Sequence, residues 1–243
     1  MKKQKYRNKL EFVEDAFKAC WANANDLLKA AKILLNNDLH GVALSNSVLA
    51  IEELGKLLCI DGLLFARSND EKAKSYAKAL KSHSTKLSSF TLFPLLLSNI
   101  AQVDPRYKSD PRFSQALVIS ITDIKNRGNK VFDLLPNASF QDLDSLKQQG
   151  FYAQPYNNDF KSPNMAIAKE VSQEIYELAW RAVTTLDFLL KGGNLKRYIK
   201  QARSIRESLT EEQHNELKDQ AKSLSDMIFS SEEDVNDDKN KTY

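Results

Sequence analysis

The sequence contains little glycine and proline, the two residues that most often form tight turns. Seven glycines and six prolines occur among 243 residues, whereas average usage places both together at roughly 12%. A fold built from β-hairpins needs such turn residues at short intervals. Their scarcity favours long helices joined by a few loops, and we predict an all-α protein.

Three further absences restrict the class of protein. The sequence has no run of the ~20 apolar residues that span a bilayer, and residues 1–10 are basic without the apolar segment of a secretory signal. Histidine occurs at positions 40, 83 and 214, without a Cys-x-x-Cys pair. We therefore expect no structural metal and no cofactor. The expected protein is soluble and cytoplasmic and does not bind a membrane.

Two long segments near the start of the chain have apolar residues at three- and four-residue steps. Residues 9–36 predict one amphipathic helix, and residues 42–66 predict a second helix that is apolar almost all round. A helix of the second kind belongs in the centre of a bundle. Cys20 and Cys59 lie within these patterns, which favours buried thiols in a reducing compartment over a disulfide.

The middle of the chain predicts shorter helices and one long irregular segment. Glycine, proline and asparagine interrupt the pattern between 136 and 164, and a loop of this length is more often functional than accidental. Helical periodicity then returns until Gly192-Gly193 ends it. The predicted segments are a polar helix from about 70 to 89, an apolar stretch over 90–100 interrupted by Pro94, a loop over 101–111, a helix from 112 to about 134, and a helix over 165–191.

Beyond the two glycines, the sequence predicts a basic helical extension over 193–230 and a disordered acidic tail over 231–243. Thr210-Glu-Glu-Gln213 has the pattern of a helix-starting capping box. The net charge of +3 is too small to indicate nucleic-acid binding by itself. The basic helix has two interpretations, a contact with RNA or ribosome phosphates and a solvated helix without a partner. The RNA-binding candidates are Lys196, Arg197, Lys200 and Arg203.

The apolar second helix contains charged residues, and burying a charge is costly unless it is paired. Seven and eleven residues are close to whole turns, so Ser45, Glu52 and Lys56 share one stripe. Glu52 and Lys56 can pair at i, i+4, while Glu53 points about 100° away. Gly55 would let a neighbouring helix approach closely. The alternatives are a functional cluster and a buried ion pair that fixes the helix register.

Two further groups of residues have functional and structural interpretations. His83 and Lys86 lie side by side at i, i+3, where the ammonium group would favour the neutral, proton-accepting imidazole and could hold a phosphate. The alternative is an exposed pair on a polar helix. Lys147 and Tyr152 could flank a shared cleft before the last long helix. The alternative there is a loop that Phe151 and Tyr152 anchor to the core.

Taken in order, these motifs resemble the AbiV family of the HEPN superfamily. That family has a Glu-Glu-x-Gly-Lys signature in its second helix, a His-x-x-Lys pair, a Gly-(Leu/Phe)-Tyr segment and a Ser-Pro before its last helix. The resemblance covers roughly residues 10–192. The matching residues are Glu52-Glu53-Leu54-Gly55-Lys56, His83-x-x-Lys86, Gly150-Phe151-Tyr152 and Ser162-Pro163.

The resemblance implies an all-α, HEPN-like helical bundle with long central helices over residues 1–192, followed by the short C-terminal helical extension. It also implies a homodimer and a role in abortive infection, the antiviral defence in which a phage-encoded activator protein triggers the arrest of translation. Many HEPN proteins cut RNA through an Arg-x4-6-His motif. Here neither Arg127 nor Arg181 is followed by a histidine at that spacing, and Lys147-x4-Tyr152 occupies the comparable stretch.

Two functions therefore stay open. The first is a metal-independent endoribonuclease toxin, in which His83 or Tyr152 moves protons, lysines hold phosphate and acids orient them. The second is a non-catalytic effector that blocks translation by binding a phage or host protein, which the missing motif favours. A nucleotide-binding module beside a nucleotidyltransferase has less support because no glycine-rich phosphate loop is present. The candidate catalytic residues are Glu52, Glu53, Lys56, His83, Lys86, Lys147 and Tyr152.

Overall fold

The computed structural model describes residues 9–65, 78–156, 159–191, 193–210 and 212–213. The chain divides into two compact units, residues 1–202 and residues 203–243. Among the described helices, none combines the length and apolar character that crossing a bilayer requires. The helices are α1 (Lys9–Asn36), α2 (His40–Phe65), α3 (His83–Ser89), α4 (Phe93–Gln102), α5 (Pro105–Ser109), α6 (Pro111–Leu134), α7 (Leu143–Phe151), α8 (Pro163–Ala166), α9 (Lys169–Leu190) and α10 (Asn194–Ser208).

Helix α2 forms the centre of the first unit, as its apolar sequence predicts. Helices α1, α3, α7, α8 and α9 all pack against it, and α9 packs in turn against α6. Fully burying one aliphatic side chain contributes about 1.5–3 kcal/mol, so this helix carries much of the core. The α2 residues with no exposed surface include Leu44, Val48, Ile51, Leu54 and Leu57.

The structure confirms the all-α prediction, and Cys20 and Cys59 are free thiols as expected. One short antiparallel hairpin, β1 (Gln154–Tyr156) and β2 (Asp159–Lys161), interrupts the helices before α8.

Helix starts in the middle of the chain differ from the prediction because capping side chains create them. Asp104 and Asp110 accept backbone hydrogen bonds at the starts of α5 and α6, so the predicted loop over 101–111 contains a helix. Pro94 lies in the first turn of α4 and starts that helix instead of interrupting it. The segment 136–164, predicted to be irregular, contains α7 and a preceding 3-10 turn at Phe140–Asp142.

Two predicted helices also begin at other residues. Ser82 caps α3 through its hydroxyl group, so the polar helix does not run unbroken to residue 89; residues 66–77 lie outside the described ranges. The last long helix begins at Lys169 instead of residue 165, because α8, which Pro163 starts, ends at Ala166.

The first unit extends past the boundary predicted at residue 192 and ends at Ala202. Leu195, Tyr198 and Ile199 of α10 are buried, which explains why this turn belongs with the bundle. In the second unit, Thr210 and Gln213 exchange the reciprocal hydrogen bonds of the predicted capping box. The predicted acidic tail over 231–243 and residues 214–230 of the predicted extension lie outside the described residues.

Glycines allow three segments to lie directly on α2. A Cβ atom on Gly55 would lie 1.8 Å from the backbone oxygen of Lys86, and a Cβ on Gly150 would lie 2.2 Å from Ser45 Oγ. A Cβ on Gly41 would lie 2.7 Å from the backbone carbon of Pro163. These distances are far below any van der Waals contact, so α3, α7 and α8 keep their positions only while these residues remain glycine.

We expect Gly55→Ala to destabilise the protein by about 3 kcal/mol or more, because the added methyl group meets backbone atoms that cannot rotate away. Gly128→Ala is the matched control, since a Cβ there meets nothing within 4 Å and should stabilise α6 by up to about 1 kcal/mol. Urea unfolding measures both variants. Equal effects would contradict the close contact of α2 with α3.

A half-buried acid, Asp61, joins α10 to α2. The Tyr198 hydroxyl group donates a hydrogen bond of 2.6 Å to Asp61 Oδ1. Burial raises the pKa of Asp61 from 3.8 to about 6, although the Tyr198 hydrogen bond lowers it in part. Burial also raises the pKa of Tyr198, and the charge of Asp61 adds to that shift. The folded protein therefore holds the Asp61 proton at pH values where the unfolded chain has lost it.

Stability conferred by this proton is lost as pH rises from about 4 through about 6, because the folded-state pKa lies above the unfolded value. We expect the wild type to lose about 1–3 kcal/mol more than Asp61→Asn between pH 4.5 and pH 7.5. Urea unfolding at both pH values tests this difference, with Asp26→Asn at an exposed acid of α1 as control. Parallel pH profiles for Asp61→Asn and wild type would contradict it.

Candidate functional site

A buried carboxylate, Glu52, lies where α3 and α7 meet α2. Glu52 Oε1 is 2.5 Å from Lys147 Nζ, and Glu52 Oε2 is 2.7 Å from His83 Nδ1 and 3.1 Å from Lys86 Nζ. Lys147 Nζ is also 2.5 Å from Asp144 Oδ1. Three helices therefore bring five ionisable side chains together, and we call them the Glu52 cluster: Glu52, His83, Lys86, Asp144 and Lys147.

Close backbone contacts set the positions of these side chains. Gly55 lies one turn after Glu52 and admits the backbone of Lys86. Gly150 lies one turn after Lys147, and the Ser45 hydroxyl group donates a 2.7 Å hydrogen bond to the backbone oxygen of Lys147. The glycines of the sequence motifs thus bring the cluster helices close enough for their charged side chains to meet.

Most of the cluster is removed from water. Glu52, Lys86 and Lys147 are 2%, 5% and 3% exposed. Burial acts to raise the pKa of Glu52, but hydrogen bonds from Lys147, His83 and Lys86 outweigh it, and the pKa lies below its ordinary value. Burial acts to lower the pKa of Lys147, but Asp144 and Glu52 together raise it. The cluster therefore contains an ionised carboxylate and an ionised ammonium group in mutual contact.

His83 is the most exposed member of the cluster. Its side chain is 55% exposed while that of Glu52 is 3% exposed. A carboxylate only accepts hydrogen bonds, so the 2.7 Å contact places a proton on His83 Nδ1. In the neutral form of this ring the lone pair lies on Nε2, which can accept a proton from a bound molecule. This arrangement can support general acid–base chemistry.

Asp144 is a site residue that the sequence reasoning missed. It was assigned to an irregular segment, whereas the structure has it in the first turn of α7. Its i, i+3 spacing to Lys147 is the signal that could have identified it, once a helix is recognised there. The carboxylate gives Lys147 a second anionic partner besides Glu52.

The predicted pairing of Glu52 with Lys56 is wrong. Lys56 Nζ is 2.5 Å from Glu53 Oε1 instead, and Glu52 uses both oxygens on residues from other helices. Glu53 and Lys56 thus form a separate ion pair. Burial, followed by the charge of Glu53, raises the pKa of Cys20 to about 12, and Lys56 partly opposes this shift.

Tyr152 follows α7 as its C-terminal cap, five residues after Lys147. Tyr152 is 62% exposed, and the centre of its ring lies 6.3 Å from the centre of the Phe151 ring. Tyr152 lies on the surface, so it does not anchor a loop in the core.

We predicted that acids, lysines and one imidazole lie close together, and this is observed for Glu52, His83, Lys86 and Lys147.

The Ser162-Pro163 motif has a structural role. Asn164, the next residue, accepts a hydrogen bond from the Gly41 amide at 2.9 Å and donates one to the backbone oxygen of Asp38. His40 Nε2 lies 2.9 Å from the backbone oxygen of Asn164. These bonds attach α8 to the turn between α1 and α2, where Asp38 has a positive φ of 58°.

The two arginines considered for a HEPN motif join α6 to α9. Arg127 Nη1 is 3.4 Å from Glu174 Oε2, and Arg181 Nε is 2.9 Å from Asp123 Oδ2. Both guanidinium groups therefore have acidic partners on the neighbouring helix. This pattern indicates that they hold the two helices together.

Four basic residues of α10, the RNA-binding candidates, are on the surface, and acids accompany two of them. In the first unit, Lys196 is 4.0 Å from Glu14 and Arg197 donates to Asn194, while Lys200 is exposed. In the second unit, Arg203 is 2.6 Å from Glu207. Glu14 and Glu207 reduce the local positive charge that the sequence alone indicates.

The protein is an all-α bundle whose central helix carries a buried glutamate bonded to a histidine and two lysines. The family model described as AbiV matches residues 12–184, a range that contains the whole Glu52 cluster, and the chain belongs to this AbiV family of the HEPN superfamily. No curated protein and no solved structure gives a match. Membership of the family indicates a role in phage defence by abortive infection.

We expect Glu52→Ala to cost about 3–5 kcal/mol of stability, because it leaves two buried ammonium groups without their shared counter-ion. Glu53→Ala, on the next residue of the same helix, should cost about 1 kcal/mol or less because its pair with Lys56 is partly exposed. Urea unfolding of both variants measures the difference. Similar losses would show that Glu52 is not the residue on which the cluster depends.

Proposed function

We propose that the protein is an abortive-infection effector that cleaves RNA without a metal ion and arrests translation when a phage protein triggers it. His83 is the proton-transferring residue in this proposal. The observation that carries it is the contact of His83 Nδ1 with Glu52 at 2.7 Å, combined with an imidazole that is 55% exposed. A buried acid thus orients a solvent-facing base.

The chemistry is an attack by the RNA itself. His83 Nε2 takes the proton of a ribose 2′-hydroxyl, and that oxygen bonds to the adjacent phosphorus as the bond from phosphorus to the 5′-oxygen breaks. The departing 5′-oxygen then takes a proton from the imidazolium, which returns to its neutral form. The products are a 2′,3′-cyclic phosphate and a 5′-hydroxyl end, and general acid–base catalysis of this kind contributes about 10²–10⁴-fold in rate.

Glu52 supports both steps from inside the protein. It keeps the imidazole in the form with the proton on Nδ1, and its charge stabilises the imidazolium that forms during the reaction. Because hydrogen bonds from Lys147 and Lys86 hold the pKa of Glu52 low, this carboxylate stays ionised. In this proposal Lys86 and Lys147 are positioning residues that act through Glu52.

The phosphate contacts in this proposal come from exposed cations, because the lysines of the cluster are buried. Lys196, Arg197 and Lys200 of the first unit supply charge for the RNA backbone. Arg203, in the second unit, is a separate candidate for a phosphate contact. The protein acts as a homodimer with a phage-encoded activator as its partner. Tyr152 and the Glu53–Lys56 pair take no part in proton transfer.

A second candidate function has one specific observation in its favour. The side chains of Lys86 and Lys147 are 6% and 4% exposed, and both bind Glu52. Neither ammonium group of the cluster therefore faces solvent to hold a phosphate beside His83. In this alternative the cluster only fixes α2, α3 and α7, and the effector blocks translation by binding a phage or host protein.

The test uses a variant that keeps the hydrogen bond but removes the base. In His83→Asn the amide Nδ2 group can replace the Nδ1 donor to Glu52, so stability should remain within about 1 kcal/mol of wild type. Cleavage should fall at least 100-fold because no proton-accepting nitrogen is left. The protein is first treated with EDTA to remove bound metal ions. It is then assayed in a cell-free translation reaction and, separately, on purified RNA, each with and without extract from phage-infected cells.

Ser84→Ala, on the exposed neighbour of His83, is the control and should cleave RNA like wild type. Loss of translation with intact RNA in the wild type would reject the ribonuclease and support the binding function. Cleavage that His83→Asn retains would remove His83 from the mechanism even if the protein is a nuclease.

A further inference from the structure

The ammonium group of Lys147 lies among three groups that ordinarily bind metal ions. Its Nζ atom is 2.5 Å from Glu52 Oε1 and 2.5 Å from Asp144 Oδ1, and it is 3.4 Å from His83 Nδ1. Glu52, His83 and Asp144 each offer a ligand atom, and these atoms lie within 4.8 Å of one another. The three side chains come from three different helices.

Two carboxylates and one imidazole form a ligand set that Zn²⁺, Mn²⁺ and Fe²⁺ accept. A zinc ion with bonds of about 2.0–2.2 Å would hold its ligand atoms roughly 3–3.5 Å apart. Shifts of about 1 Å in side chains would therefore convert the present spacing into a coordination site. Such an ion would lie where Lys147 Nζ lies now.

We propose that Lys147 is a built-in cation: its ammonium group takes the place of a divalent ion and keeps Glu52, Asp144 and His83 free of metal. The role belongs to the cluster itself and does not rest on RNA cleavage. If the site does cleave RNA, the lysine preserves the lone pair on His83 Nε2, because a metal ion bound to Nδ1 would leave the proton of the neutral ring on Nε2. Lys147 is thus a positioning residue and not a phosphate ligand.

The lysine is well placed to exclude other cations. Its side chain is 4% exposed and its ammonium group contacts both carboxylates. An entering metal ion would have to displace this ammonium group from both partners, and a buried charge without a partner is strongly unfavourable. Lys86 Nζ lies 3.1 Å from the other oxygen of Glu52, Oε2. Lys147 therefore needs to exclude a metal ion only from Oε1.

The experiment removes the ammonium group and measures metal binding by the full chain. Lys147→Ala should bind one equivalent of Zn²⁺ at least tenfold more tightly than wild type by titration calorimetry. With Co²⁺ it should show the visible absorption of a coordinated ion. The double variant Lys147→Ala with Asp144→Asn should lose this binding, because one of the three ligands is gone.

Lys130→Ala is the matched control. It frees Glu174 from an ammonium partner 2.5 Å away, and among the described residues Glu174 belongs to no group of three potential metal ligands, so the Zn²⁺ affinity of this variant should equal that of wild type. Folded Lys147→Ala that binds Zn²⁺ no more tightly than wild type would overturn the proposal. If Lys147→Ala does not fold alone, refolding with Zn²⁺ decides: recovery supports the proposal and continued unfolding overturns it.

Discussion

The hydrogen-bonded contacts of Glu52 are the interaction on which the rest of the site depends. One buried carboxylate binds two buried ammonium groups and one imidazole, and each partner comes from a helix other than its own. Removing several charges from water costs about as much as their attraction returns, so such a group adds little net stability. Its benefit is that α2, α3 and α7 have one register in which all the charges are matched.

The apolar packing and the ion contacts are two consequences of the same close approach. Helix α2 is buried on nearly every side, so its charged residues must find partners on neighbouring helices. Gly55 and Gly150 remove the side chains that would separate the backbones. A bundle with ordinary helix spacing would leave the lysines too far from Glu52, and the exposed imidazole would lack its orienting acid.

The fold was largely predictable from the sequence, and the site only in part. The long apolar patterns predicted the ends of α1 and α2 to within two residues. A pattern repeated over many turns remains clear even where single residues depart from it. Helix α7 was missed, since nine residues include few repeats and the only capping box nearby starts the preceding 3-10 turn and not α7 itself. The predicted partner of Glu52 was wrong because i, i+4 spacing finds partners only within one helix. Its actual partner Lys147 lies 95 residues further along the chain.

That separation along the chain has a consequence for biosynthesis. At about 5–20 residues per second, ~5–20 s pass between the synthesis of α2 and that of α7. A helix of nine residues is too short to be stable alone, so α7 forms only when it docks on α2. During this interval the nascent chain has Glu52 without Lys147. Glu52, which orients His83, therefore gains its full set of contacts only after most of the bundle has left the ribosome.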